Sequence, residues 1–127
     1  MTLLSNILVV DDEPSLVELC RIILEQAGYK VRGAYNGRQA LSMVIEDTPD
    51  LVLLDVMMPG MDGIEVCRRI RTEHEKPPPC IVMYTADERD ETRDNSITAG
   101  ATDVLTKETP VFDLPKRIGD YLATGCS

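Results

Sequence analysis

The sequence predicts an α/β fold: a doubly wound, five-stranded parallel sheet with helices on both faces. Three observations carry this. The apolar runs Ile7-Leu8-Val9-Val10, Leu51-Val52-Leu53-Leu54 and Ile81-Val82-Met83-Tyr84 read as strands buried on both sides, as in a parallel sheet. Strand and helix patterns alternate five times along the 127 residues, which argues for helices layered on a sheet. Each apolar run also ends in polar residues, at the edge where open α/β sheets bind ligands.

In chain order, Pro14 suits the first turn of helix one. Leu16, Cys20, Ile23, Leu24 and Ala27 form its apolar stripe, and Gly28 ends it. Residues 29–34 form a mixed polar strand. Ala40, Leu41, Val44 and Ile45 stripe helix two, which stops before Pro49. Helix three follows Gly63 and is marked by Ile64, Cys67 and Ile70. Pro77-Pro78-Pro79 reads as a stiff, extended connector into strand four. Residues 88–96 hold no large apolar side chain, so helix four should be marginal and mobile, anchored by Ile97 and Ala99. Val104-Leu105-Thr106 is a short fifth strand. Leu114, Ile118, Tyr121 and Leu122 mark helix five, with Pro115 in its first turn. Strands one, three and four are apolar throughout and belong in the centre. Strand two is mixed and strand five short, so both belong at edges, giving the order 2-1-3-4-5.

Parallel strands bring their C-terminal ends together. Strand one ends in Asp11-Asp12-Glu13, strand three in Asp55, strand four in Thr85-Ala86 and strand five in Lys107. Each piece has an ordinary reading: the acids and Thr85 as helix caps, Asp55 as a turn former, Lys107 as a solvated loop residue. Four such coincidences are less economical than one site. Two carboxylates about 4 Å apart repel by about 4 kcal/mol at an effective dielectric of 20, so one takes a proton or a cation binds. With oxygen ligands only, a hard divalent ion suits the site, and Mg²⁺ leaves room for phosphate oxygens. Lys107 would neutralise a further anion, and the Thr85 hydroxyl could donate to it. A carboxylate in such company can accept a phosphoryl group as an aspartyl-phosphate.

Val9-Val10-Asp11-Asp12-Glu13-Pro14, residues 53–63 (LLDVMMPGMDG), Tyr84-Thr85-Ala86, and Ala99-Gly100-Ala101 leading to Lys107 resemble a response-regulator receiver domain of two-component signalling. The resemblance runs from Asn6 to about Leu122. It implies a flavodoxin-like (βα)5 fold and a single receiver domain over residues 1–127. It further implies that Asp55 is the phosphoacceptor. Asp12, Asp55 and the Met57 backbone carbonyl would ligate Mg²⁺, with Asp11 acting largely through water. Thr85 would bind a phosphoryl oxygen and report its arrival, and Lys107 would pair with the phosphoryl group. The implied donor is a phosphohistidine on a sensor histidine kinase or histidine phosphotransfer protein. The implied output is partner binding by the surface of helix four, strand five and helix five, which is also a possible homodimer face where Asp103 and Arg117 could supply ion pairs. A switch of this kind is not an enzyme in the turnover sense.

Two positions depart from the family. Val104 stands where an aromatic residue is common in strand five, so no ring can swing inward. Glu108 follows Lys107 where Pro is common after a cis bond; for a non-proline residue cis costs about 3–4 kcal/mol, so a trans bond is expected.

Composition removes several classes. Hydrophobic content of 43% and charged content of 28% suit a globular protein with a real core. A net charge of −9 argues against a nucleic-acid surface. Arg68, Arg69 and Arg71 lie among acids and read as a solvated helix face. No apolar run approaches ~20 residues, so no transmembrane helix is expected, and Asp11 and Asp12 break the only N-terminal apolar segment that could resemble a signal peptide. Cys20, Cys67, Cys80 and Cys126 lack metal-ligand spacing. The first three fall on apolar positions and read as reduced, buried thiols, consistent with a cytoplasmic protein; Cys126 reads as exposed.

Three further functional classes stay open on residues alone. A phosphohydrolase lacks a second acid two residues after Asp55, where Met57 stands. A flavin binder lacks a Gly- or Ser/Thr-rich phosphate loop after strand one, where acids would repel phosphate. A degenerate receiver acting as a phosphorylation-independent docking module would not need the full Asp12, Asp55, Thr85 and Lys107 set.

Overall fold

Residues 4–73 and 79–126 are described by a computed structural model. The apolar runs become β1 (Asn6–Val10), β3 (Leu51–Leu54) and β4 (Cys80–Thr85), flanked by β2 (Lys30–Ala34) and β5 (Asp103–Thr106). All pair in parallel, in the order β2-β1-β3-β4-β5, as strand composition predicts. The central strands are buried almost throughout, whereas Lys30 on β2 is exposed and both ends of β5 are half-buried.

The helices are α1 (Pro14–Gln26), α2 (Gly37–Glu46), α3 (Gly63–Glu73), α4 (Asp90–Thr98) and α5 (Leu114–Ala123), the last preceded by a 3-10 turn at Val111–Asp113. Side-chain alternation along the strands splits the interior into two cores. Ile7, Val9, Leu53, Val82 and Leu105 pack against α1 and α5. Leu8, Val10, Leu54, Met83 and Val104 pack against α2 and α3, with Ala99 and Ala101 beyond α4. This is the two-faced layering that the doubly wound prediction requires.

Several stripe assignments need correction. Val17, not Ala27, completes the buried face of α1, and Ala27 is exposed. Ile45 is 73% exposed, so α2 is held by Gly37, Ala40 and Val44, with Leu41 at the margin. Ile97 does not anchor α4: it lies outward, and Thr92 and Ser96 face the core instead. The Ser96 hydroxyl closes back on the Thr92 carbonyl at 2.7 Å, so these small polar residues are buried without an unsatisfied group. Arg71 is not solvated. Its guanidinium donates to the carbonyls of Gly100 at 2.9 Å and Pro79 at 2.6 Å, pinning the α4–β5 connection to the start of β4. Arg68 and Arg69 do pair with Glu65 on an exposed face. Cys80 is also not an isolated thiol. Its sulfur lies against that of Cys126, with Cα atoms 5.2 Å apart, while Cys20 and Cys67 are free and buried. The Pro77-Pro78 part of the proline connector lies outside the described residues.

No described helix is long and apolar enough to cross a membrane.

Candidate functional site

The parallel register sets the site. Val10 pairs with Leu54 and Leu54 with Met83, so Asp11 and Asp55 leave adjacent strands at the same level. The β1–β3 boundary is where the chain reverses its winding, the usual ligand crevice of an open α/β sheet. Backbone bonds hold both acids in place: the Asp11 N–H donates to the Ala34 carbonyl at 3.1 Å, and the Asp55 N–H to the Val10 carbonyl at 2.9 Å.

One carboxylate oxygen from each of Asp11, Asp12 and Asp55 lies within 4.8 Å of the others. Asp11 and Asp55 are buried and Asp12 is exposed. The acids of strand one are not helix caps. Glu13 occupies the cap position of α1 without a side-chain bond, and its N–H donates instead to Asp11 Oδ1 at 3.0 Å. Lys107 reaches in from the end of β5. Its Nζ donates to Asp11 Oδ2 at 2.8 Å and lies 3.8 Å from Asp55 Oδ1. The Lys107 N–H donates to the Thr85 carbonyl at 2.8 Å, which sets the lysine beside β4. Glu108 is exposed and does not draw Lys107 away from the acids.

Electrostatics single out Asp55. Burial, followed by the charge of Asp11, pushes its pKa up to about 6, against the opposing pull of Lys107 and of the Met57 N–H. For Lys107, burial works against the charged form, but the Asp11 hydrogen bond and the Asp55 charge outweigh it and its pKa is raised. The crevice therefore holds more negative charge than its one ammonium balances. Its donor set is all-oxygen, clustered and partly open to solvent, which fits a small hard cation.

Thr85 is fully buried, and its Oγ1 accepts the Asp87 N–H at 3.1 Å. Its own hydroxyl proton is left to donate. The Asp87 carboxylate then accepts from Arg89 and from the Thr92 hydroxyl, the latter at 2.6 Å. Those bonds hold Asp87 well below the usual carboxylate range. Met57 is 58% exposed at the mouth, and its N–H donates to Asp55 Oδ1 at 3.3 Å. All six residues expected at the site (Asp11, Asp12, Asp55, Met57, Thr85 and Lys107) thus come from the same edge of the sheet.

Sequence reasoning missed three supporting features. Tyr84 places its ring 6.0 Å from Lys107 Nζ and donates its hydroxyl to the Thr109 carbonyl at 2.7 Å, tying β4 to the loop after Lys107. Gly63 packs directly on the Asp55 carbonyl. Asp103 is committed within the chain to Arg93 and Tyr121 rather than left for a partner. Each depends on residues distant in sequence, and no local pattern signals it.

The fold and crevice define an α/β domain with a carboxylate cluster and a lysine gathered at the switch point of a parallel sheet. The chain belongs to the response regulator receiver domain family: that family model matches residues 7–119. It is thus a receiver domain of two-component response regulators. Solved structures agree. A CheY-like receiver domain protein from Methanospirillum hungatei is 28% identical with a TM-score of 0.90, covering 97% of each chain. The chemotaxis protein CheY4 of Vibrio cholerae is 30% identical with a TM-score of 0.87, over 93% of this chain and 98% of that one. The receiver domain of DrrB, described as BeF3-activated, is 29% identical with a TM-score of 0.84, over 95% of this chain and 99% of that one.

Proposed function

We propose that this receiver accepts a phosphoryl group on Asp55 from a phosphohistidine of a sensor histidine kinase or phosphotransfer protein. The observation that carries the proposal is the buried Asp55 carboxylate with Lys107 Nζ 3.8 Å away and two further carboxylates within 4.8 Å. A carboxylate oxygen of Asp55 bonds to phosphorus as the P–N bond breaks, and the imidazole leaves with the electron pair, neutral because its other ring nitrogen already carries a proton. Lys107 offsets the incoming charge, and the Thr85 hydroxyl donates to a phosphoryl oxygen. Asp11, Asp12 and Asp55, with the Met57 carbonyl, would hold Mg²⁺, which supplies positive charge to the transferring group. The DrrB receiver in its BeF3-activated form supports carrying this chemistry to the present chain.

The output is a binding switch rather than turnover. Thr85 leads through the Asp87 N–H, and the Asp87 carboxylate through the Thr92 hydroxyl, into the first turn of α4. That helix buries only Thr92 and Ser96 within its span, so little packing opposes its displacement. Drawing Thr85 toward a phosphoryl group would move the α4-β5-α5 surface and so control partner binding. Val104 contributes no ring to this path, which leaves the hydrogen-bonded route through Asp87 to carry it. Thr92→Val is expected to leave adduct formation intact while reducing the phosphorylation-induced amide shifts of α4 in NMR spectra; unchanged shifts would count against the route.

The proposal is tested by intact mass after incubation with acetyl phosphate and Mg²⁺. A single phosphoryl adduct is expected, dependent on Mg²⁺ and absent in Asp55→Asn. If folded protein gives no adduct with acetyl phosphate or with a phosphorylated kinase, the domain is a phosphorylation-independent docking module.

Met57 adds an expectation about lifetime. An apolar side chain at the crevice mouth cannot orient an attacking water. One positioned hydrogen bond is worth about 1 kcal/mol net, which is roughly fivefold in rate. Met57→Asn should therefore lose phosphate several times faster, followed as decay of the adduct mass. An equal or slower decay would exclude a water-limiting role for Met57.

A further inference from the structure

We propose that Cys80 and Cys126 are a reversible redox modification site, an intrachain disulfide that fastens the end of α5 to the start of β4. Their Cα atoms are 5.2 Å apart, inside the range that a disulfide spans without backbone movement. The placement is built by the surrounding chain. After α5, the Gly125 N–H donates to the Leu122 carbonyl and the Cys126 N–H to the Tyr121 carbonyl, both at 3.2 Å. Gly125 and Cys126 both take left-handed backbone, with φ of 76° and 62°. For a non-glycine residue that conformation is uncommon, and here it accompanies the turn that brings the Cys126 sulfur back onto the sheet. Tyr121 also donates its hydroxyl to Asp103 at the head of β5. On the other side, Cys80 is fully buried, and its N–H donates to the Asp50 carbonyl at 3.0 Å.

The two sulfurs have different access. Cys126 is half-buried and Cys80 has no exposure, so Cys126 meets the oxidant and Cys80 resolves the product. With a hydroperoxide, the Cys126 thiolate attacks one oxygen and the O–O bond breaks. This leaves a sulfenic acid on Cys126 and releases water or an alcohol. The Cys80 sulfur then attacks the Cys126 sulfur, the S–O bond breaks, and hydroxide departs with the thiol proton as water. Thiol reductants reverse the bond by exchange. Disulfides are rare in reducing compartments unless they are transient, so a responsive bond rather than a permanent staple suits a receiver. Cys20 and Cys67 do not compete: both are buried, and burial pushes each thiol up to about 11, leaving it protonated. The pair sits where β4 begins, at the sheet edge opposite Thr85 and the acids. The bond therefore acts on α5 without touching the phosphoacceptor crevice.

Full-length protein is treated with hydrogen peroxide, denatured without reductant, alkylated with N-ethylmaleimide and weighed intact. The expected product is a monomer that has lost two hydrogens and carries adducts only on Cys20 and Cys67, with a Cys80–Cys126 cross-linked peptide on digestion. Dithiothreitol before denaturation should restore four adducts. Cys126→Ser, at a half-buried position, should fold normally and alkylate at all three remaining thiols after the same oxidation. Because 46 positions separate the two cysteines, oxidation should raise Tm by roughly 5–15 °C in wild type and not in Cys126→Ser. Four adducts after oxidation, a link between another pair, or covalent dimers joined through Cys126 would overturn the proposal. So would a correctly placed bond with no change in Tm.

Discussion

Gly63→Ala is expected to destabilise this protein by about 3 kcal/mol or more, although Gly63 lies in a helix, where alanine is normally preferred. A Cβ at Gly63 would run into the Asp55 carbonyl oxygen and sit 2.8 Å from its carbon and 2.9 Å from the Val56 Cα. All three are backbone atoms, so no side chain can rotate away. The Gly63 N–H is also bonded to the Val56 carbonyl at 2.9 Å, which fixes the distance between the helix start and the loop. The loop after β3 or the first turn of α3 must shift, and either movement displaces Asp55. Urea unfolding should show the loss, and Tm should fall by roughly 10 °C or more. Adduct formation on Asp55 should fall with it, at temperatures where the variant remains folded. A loss below about 1 kcal/mol with normal adduct yield would mean that the contact relaxes freely.

The second large effect has the opposite sign. Asp55→Asn should stabilise the metal-free protein by roughly 1–3 kcal/mol at pH 7.5. The folded pKa of Asp55 is about 6, whereas an unfolded Asp titrates near ~3.9. Between those values the folded protein keeps a proton that the unfolded chain has released. The contribution of Asp55 to stability therefore falls as pH rises through this window, and the penalty stays in full above it. Asparagine is never charged and avoids that penalty. The stabilising difference between variant and wild type should then shrink as pH is lowered from about 6 toward about 4. Thermal unfolding of both proteins across this range in chelator measures it. Added Mg²⁺ should raise the wild-type Tm more than that of the variant, because a bound cation relieves the same repulsion. A variant less stable than wild type at pH 7.5, or a gap that widens on acidification, would contradict the assigned cause.

Both predictions concern residues whose type was legible and whose role was not. The Asp62-Gly63 pair reads as a turn, and the turn explanation is local. The requirement for glycine is instead the approach of α3 to the carbonyl of Asp55, which only folding creates. Asp55 reads as a candidate acceptor from its place after an apolar run. Its raised pKa comes from burial and from Asp11, on the neighbouring strand. The same division explains the misassigned stripes. Apolar residues at helical spacing locate the helices but not the width of each buried face, so the pattern points Ala27, Ile45 and Ile97 inward where the fold leaves them exposed. In α2 and α4 small residues do much of the packing, and a hydrophobic pattern gives Gly37, Thr92 and Ser96 little weight. The Arg71 side chain read as solvated because its acceptors, the carbonyls of Pro79 and Gly100, carry no side-chain signature.

From the amino-acid order alone come the strand order and the sheet edge at which the acids, Thr85 and Lys107 gather. They do so because apolar runs specify burial, burial ranks the strands, and parallel pairing forces the strand ends to one side. Only folding in three dimensions set which oxygens face one another, that Lys107 bonds Asp11 while standing 3.8 Å from Asp55, that Gly63 packs on the Asp55 carbonyl, and that Cys126 meets Cys80. Those are distances between residues brought together by the fold, and one-dimensional spacing does not encode them.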